Sequence, residues 1–422
     1  MLWSIPATDG LSMDSSRATV RDLRRRNRSA VLSRLYFDGP LSRHELAQLT
    51  GLSPATVSNV TAALSEERLI VEAGQVDSDG GRPRVLLRVN AGYGHLVGID
   101  VGETGVKAEL FDFTMGRLAT VERPLRTPRP TAESVVTELA GALAQVLTGV
   151  EETSVLGIGV GLPGTVQRGP SAQVHAQAIG WAAVPIEALV RAAGVTLPLF
   201  FDNGAKTQGQ AELWFGAGRG CRHAVIALVG SGVGAAVVTN GSTYQGATSS
   251  AGEWGHTTLV YGGRQCRCGA RGCLEAYVGA ESILERYRVA RRGRPVPGDD
   301  ERASLAALIQ AAGTSDTAAR VLDETAGYLG AGIANLINLF NPERIVLGGW
   351  AGVALGHAAL PRIRASVAAH ALRHPLQQAT IEVGELGPDA VAFGAATLPV
   401  AALLARGGEP TDTRRRSTVD AA

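Results

Sequence analysis

A chain of 422 residues, 45% hydrophobic and 19% charged, is long enough for two to three compact domains at roughly 150 residues each, which excludes a disordered or fibrous protein. Forty Lys+Arg against 39 Asp+Glu leave a net charge of +1, so any binding of nucleic acid has to rest on a local patch. Aromatics at 5% with 53 glycines suit alternating strands, helices and tight turns rather than a helical bundle.

The first 27 residues are polar and finish in Arg24-Arg25-Arg26, which reads as a mobile basic arm. They lack the apolar stretch of a signal peptide, and no run of about 18 apolar residues follows, so a cytoplasmic location without membrane contact is expected.

Residues 28–90 read as three short helices followed by two strands. Val31, Leu32, Leu35 and Tyr36 form one apolar stripe. Ser42-Arg-His-Glu45 is a capping box that starts a second helix, and Gly51-Leu52 supplies a turn. Ser53-Pro54 is an N-cap followed by proline at the first helical position. The unit is a helix-turn-helix. In the third helix Val57, Val60 and Leu64 face inward by spacing, which leaves Ala55, Thr56, Ser58 and Asn59 outward beside Ser53, small polar groups suited to base edges in a major groove. Leu69–Val76 and Val85–Val89 are predicted strands around a wing, with Arg82 and Arg84 placed for phosphates or the minor groove of double-stranded DNA.

From His95 the pattern turns strand-like. His95–Val101, Val106–Phe113 and Arg117–Leu125 form a predicted meander, with a helix over Thr131–Val150 and a strand over Val155–Val160. Helices are expected at Gly204–Phe215, Leu274–Arg288 and Ala319–Phe340, and strands at Ala224–Val229, Ala235–Thr239 and Arg344–Leu347. This makes an α/β body over 95–406, in two lobes. Residues 407–422 carry no apolar period and read as a disordered tail.

Three of the four cysteines crowd into Cys266-Arg-Cys-Gly-Ala-Arg-Gly-Cys273, which in a reducing compartment points to a metal site rather than a disulfide framework. Cys221 stands apart as a small core residue. Gly98-Ile-Asp-Val-Gly-Glu-Thr104 and Leu228-Val-Gly-Ser-Gly-Val-Gly234 each place small residues between two strands, where backbone amides can approach a phosphate. In order with Gly161-Leu-Pro-Gly164, Glu253-Trp-Gly-His256, the cysteine cluster followed by Glu275, and Ile345-Val-Leu-Gly-Gly349, they resemble the ROK family of sugar kinases and sugar-responsive repressors. The resemblance spans about residues 95–400, and the winged helix-turn-helix before it resembles the regulator branch.

That resemblance implies an actin-like, ribonuclease-H-like two-lobed fold with a sugar in the interlobe cleft. It implies sugar contacts from Gly164, Asn203, Glu253, His256 and Glu275. It also implies a structural zinc ion held by His256, Cys266, Cys268 and Cys273. Anchoring on Ala211-Glu-Leu-Trp-Phe-Gly216, the family's catalytic Asp falls on Gly204, and loss of a positioned base costs about two to four orders of magnitude in rate. Asp202 is a substitute only if the register slips. Glu103 stands in the first phosphate loop where a polyphosphate would lie. The expectation is therefore a non-enzymatic, homodimeric or larger transcriptional regulator, a repressor of carbohydrate genes that binds an operator and senses a sugar or sugar derivative. The alternative is an ATP-dependent hexose kinase with a fused DNA-binding domain.

Overall fold

The computed structural model describes residues 19–409 except 79–80, 126–129, 168 and 170. Its first element corrects the expected arm: helix α1 runs Val20–Asp38, so Arg24–Arg26 are helical. Thr19 caps it, accepting from the Asp22 amide while the Asp22 carboxylate returns a bond to the Thr19 amide. The arginines hid this helix because its apolar stripe begins only at Val31. Residues 1–18 of the expected arm lie outside the described residues.

The head continues with β1 (Leu41–Ser42), α2 (Arg43–Thr50), α3 (Pro54–Glu66), β2 (Ile70–Ser78) and β3 (Gly81–Val89), its strands ordered β1-β3-β2. Both predicted caps are present: Ser42 with Glu45, and Ser53 with Pro54 behind it. Gly51 at φ +70° ends α2 in the left-handed conformation that glycine tolerates. The stretch expected as a wing loop is instead strand on both sides, since Val76 pairs with Arg84 and Ser78 with Gly81.

The body holds two five-stranded sheets built to one plan. In the first, β4 (His95–Val101), β5 (Gly105–Asp112) and β6 (Arg117–Pro124) form an antiparallel meander. Helix α4 (Ala132–Val146) then leads to β7 (Val155–Leu162), parallel to β4. A small sheet of β8 (Thr165–Gln167), β9 (Gln173–Ala176) and β10 (Trp181–Val184), then α5 (Ile186–Ala192), precede β11 (Leu199–Asn203), parallel to β7.

After α6 (Gly204–Phe215) the plan repeats with the meander β12 (Ala224–Val229), β13 (Val233–Thr239) and β14 (Ser242–Thr243). Helices α7 (Glu275–Val278), α8 (Ala280–Ala290), α9 (Glu301–Ala311) and α10 (Asp316–Phe340) lead to β15 (Arg344–Gly348), parallel to β12. Helices α11 (Trp350–His370) and α12 (Arg373–Gln378) lead to β16 (Thr380–Val383), parallel to β15. The orders β11-β7-β4-β5-β6 and β16-β15-β12-β13-β14 are the same topology twice, the duplicated ribonuclease-H-like lobe of an actin-like fold.

The last helix, α13 (Ala390–Ala405), returns to the first lobe and packs with α6 between the sheets. The span Gly387–Ala405 is long and apolar enough to cross a membrane, yet most of it is buried, with Gly98 and Gly159 letting the helix backbone lie on the first sheet. A Cβ at Gly159 would stand 1.8 Å from the Ala395 carbonyl oxygen. The helix expected over 274–288 is broken at Gly279, where a Cβ would meet the Ser231 carbonyl at 2.9 Å. That break seats the second glycine loop on α8.

Head and body share one hydrophobic cluster. Leu32, Leu35 and Leu64 of the head are continuous with Phe113, Leu213 and Leu404 of the body. Edge-to-face ring contacts cross the seam: Phe37 on Trp214 at 4.9 Å and Tyr36 on Phe113 at 5.5 Å between centroids. Buried Arg28 adds bonds to Glu67 and to the Gly407 carbonyl, so the expected tail begins as packed chain through residue 409. Residues 410–422 lie outside the described residues.

Candidate effector cleft, metal centre and nucleic-acid interface

On α3 the structure exposes Ser53, Ala55, Ser58 and Asn59 on one face, with Val57, Val60 and Leu64 buried behind them. Thr56 is only half-exposed, and its hydroxyl is 2.9 Å from that of Ser53, so it braces the cap at the helix start. Arg84 is exposed on β3, with Arg88 on the same strand; the Arg82 side chain lies outside the described residues. Helix α3 itself carries no cation. The exposed cations of the head lie on its other elements, among them Arg24 and Arg25 of α1.

The cleft is built around the start of α6. Asn203, the last residue of β11, caps that helix by accepting from the Ala205 amide at 2.8 Å and the Lys206 amide at 3.2 Å. Its Nδ2 donates to the Gly164 carbonyl at 2.7 Å, which joins two of the expected sugar residues. Glu253 lies beside the same loop, accepting from Thr165 at 3.4 Å. Glu275 is buried in the opposite lobe, where Oε2 accepts from the Val233 amide at 3.0 Å. Sequence reasoning passed over Lys206, which is buried on α6 and donates to Gln245 and the Ser249 carbonyl, tying the 244–250 loop to the helix. Its signal was that it is one of only two lysines, with Lys107, in a chain whose other long basic side chains are arginine.

Gly204 opens α6 without a side chain, and a Cβ there would meet nothing nearer than Val391 at 3.5 Å. Asp202 is buried inside β11, its Oδ1 accepting from the Asn203 amide; the strand continues through it, without a slip that would bring it to position 204. At the first glycine loop the Glu103 carboxylate receives both terminal nitrogens of Arg267, the residue between Cys266 and Cys268. Arg267 is a second residue that sequence reading missed. Asp100, near the end of β4, is half-buried, and desolvation pushes its carboxyl up to about 7 against the pull of Arg302.

The third grouping is His256, Cys266, Cys268 and Cys273, whose ligand atoms all lie within 4.8 Å of one another. Cys266 Sγ is 3.7 Å from His256 Nδ1, and Cys268 Sγ is 3.8 Å from Cys273 Sγ. A tetrahedron with metal–sulfur bonds of about 2.3 Å has edges of nearly that length, so the donor set fits a four-coordinate metal ion. Burial raises the thiol affinity for protons at Cys266 and Cys273, a penalty that a bound cation reverses.

The family model described as the ROK family matches residues 96–401. The chain belongs to the ROK family. Among its ROK relatives is the xylose repressor of Caldicellulosiruptor bescii, 30% identical over 390 residues, covering 90% of this chain and 97% of that one. A glucokinase of Halalkalibacterium halodurans is 34% identical over 311 residues, covering 71% and 92%. Among solved structures, a ROK family transcriptional regulator, a homologue of the Escherichia coli MLC protein, superposes with a TM-score of 0.74 at 24% identity, covering 92% of this chain and 98% of that one. The glucokinase match has about the length of the ROK body alone, whereas the repressor match is too long to avoid the winged head.

Proposed function

We infer that this ROK protein is a DNA-binding transcriptional regulator, a repressor of carbohydrate genes, in which the head over residues 28–90 reads an operator and the body over 95–406 binds a sugar effector. The observation that carries the reading is similarity to a xylose repressor along 90% of the chain, winged head included. Exposed Ser53, Ala55, Ser58 and Asn59 are the base-facing candidates, with Thr56 bracing them and Arg82 and Arg84 assigned to the backbone. Two heads across a palindrome call for a homodimer.

Gly164, Asn203, Glu253, His256 and Glu275 are the proposed sugar residues. Asn203 and Glu275 already spend hydrogen bonds on the Gly164 loop and the Val233 amide, so their part is to hold neighbouring groups in register as well as to meet hydroxyls. His256, Cys266, Cys268 and Cys273 suit a structural zinc ion, which would cross-link the loop through three thiolates and one imidazole. With Nδ1 toward that ion, His256 keeps Nε2 for a ligand. A zinc-selective chelator is expected to lower the melting temperature and loosen sugar binding together, as followed by calorimetry; a chelator-insensitive protein would leave the zinc assignment without support.

Gly204 in place of the base and Glu103 in the phosphate loop speak against kinase chemistry. The deciding experiment titrates the purified protein onto DNA upstream of its own and neighbouring genes, with and without xylose, other sugars and sugar phosphates. Release by one sugar is expected. Absence of binding at low salt as well as high, together with ADP release from Mg-ATP and a hexose, would establish the kinase instead.

A further inference from the structure

We propose that Arg267 is a positioning residue that clamps the two lobes together through Glu103 and thereby sets the carboxylate of Glu275; this rests on the reading of the cleft as an effector site. Glu103 belongs to the turn between β4 and β5 in the first lobe, and Arg267 to the cysteine loop of the second. Their pairing is bidentate, from Nη1 at 2.5 Å and Nη2 at 3.0 Å. The same guanidinium lies 3.4 Å from Glu275 Oε1 and donates to the Ser231 carbonyl at 3.3 Å. One side chain therefore touches both glycine loops, the metal loop and a buried residue of the proposed sugar site.

The surrounding charges make it the cation of a crowded acidic corner. Glu281 lies 3.6 Å from Arg267, and Glu301, bonded to the Ser231 hydroxyl, faces Glu103 and Glu281 as well. Without the guanidinium, carboxylates from both lobes would repel across the cleft. The pair is also only about a quarter exposed, so water and salt screen it weakly. Lying between the two glycine loops, it occupies the place a nucleotide's phosphates would need, and the lobes close on protein instead of on a second ligand.

The test uses hydrogen exchange of the full-length, effector-free protein, read at the amides of residues 102–105 and 230–233. Glu103→Gln and Arg267→Gln should each speed exchange at both loops by about tenfold, the scale of a lost charge-assisted bond, with bound zinc unchanged. The double variant should exchange no faster than the faster single variant, and Arg267→Lys should recover part of the protection. Unchanged exchange in Glu103→Gln, or effects that simply add in the double variant, would overturn the clamp. No sugar enters this measurement, so it fails or succeeds independently of the effector reading. In a second arm, the concentration of sugar that releases operator DNA should shift for Arg267→Gln if Glu275 is positioned through it.

Discussion

Position 204 is one of two places where the proposed loss of kinase chemistry can be tested directly. A side chain fits there, since the nearest atoms to a Cβ are at ordinary contact distance, and Asn203 already caps the helix that would carry it. Gly204→Asp should therefore fold with little change in melting temperature. It should still release no ADP from Mg-ATP with any hexose, because the Glu103–Arg267 pair stands between the glycine loops; turnover in a coupled assay would contradict this. Asp100 yields a pH prediction at the same scale. Its carboxyl is raised from 3.8 to about 7 by burial, so the native state holds that proton more tightly than the unfolded chain. Its contribution to stability is full below the unfolded value and is lost as pH rises through the folded one. Asp100→Asn should match the native protein near about pH 4 and become progressively more stable than it up to about pH 8, as measured by urea unfolding across that range.

At the scale of elements, the head is assembled from local signals that act before any tertiary contact. The Ser42–Glu45 box, Gly51 at positive φ and the Ser53–Pro54 start define α2 and α3 from either end. Ser42 is buried and its box is complete, so Ser42→Ala should cost about 1 kcal/mol of unfolding free energy, measured by urea denaturation, with a corresponding loss of operator affinity. The helices that escaped sequence reading failed on the opposite ground. Helix α13 is apolar on nearly every side because it is covered by a sheet, by α6 and by the head, so it presents no stripe with a helical period. Its interior Pro399 and the Pro361 of α11 also argue locally against helix.

Across the whole molecule, the seam between head and body is the proposed route by which a ligand in the cleft would be felt at the DNA. Helix α6 is capped by Asn203 in the cleft and ends at Trp214 and Phe215 against Tyr36 and Phe37 of α1, so one element spans from the proposed sugar site to the head. Arg219 adds a bond to the Phe37 carbonyl. Because the two units share a core, the intact protein should unfold head and body in one transition. Phe37→Ala removes a ring from that seam and should cost about 2–4 kcal/mol, splitting the calorimetric transition in two and weakening sugar-induced release more than basal operator binding. A single undivided transition in the variant would show that the coupling of head and body does not depend on the Phe37 ring.

Elements whose causes are local could be read from the chain alone: the capped helices of the head, the meander strands with their glycine turns, and the crowded cysteines. Each depends on neighbours within a few residues, which is why the strand over His95–Val101 and the helix over Gly204–Phe215 begin and end where the pattern placed them. The cleft residues were legible only through a resemblance, since Asn203 and Gly164 are 39 positions apart and meet through a strand pairing. Tertiary structure alone decided that Glu103 meets Arg267 across 164 residues, that Arg24–Arg26 belong to a packed helix, and that head and body form one core. Those outcomes depend on where the two lobes and the head bring distant charges and rings together, and no local period or propensity carries that information.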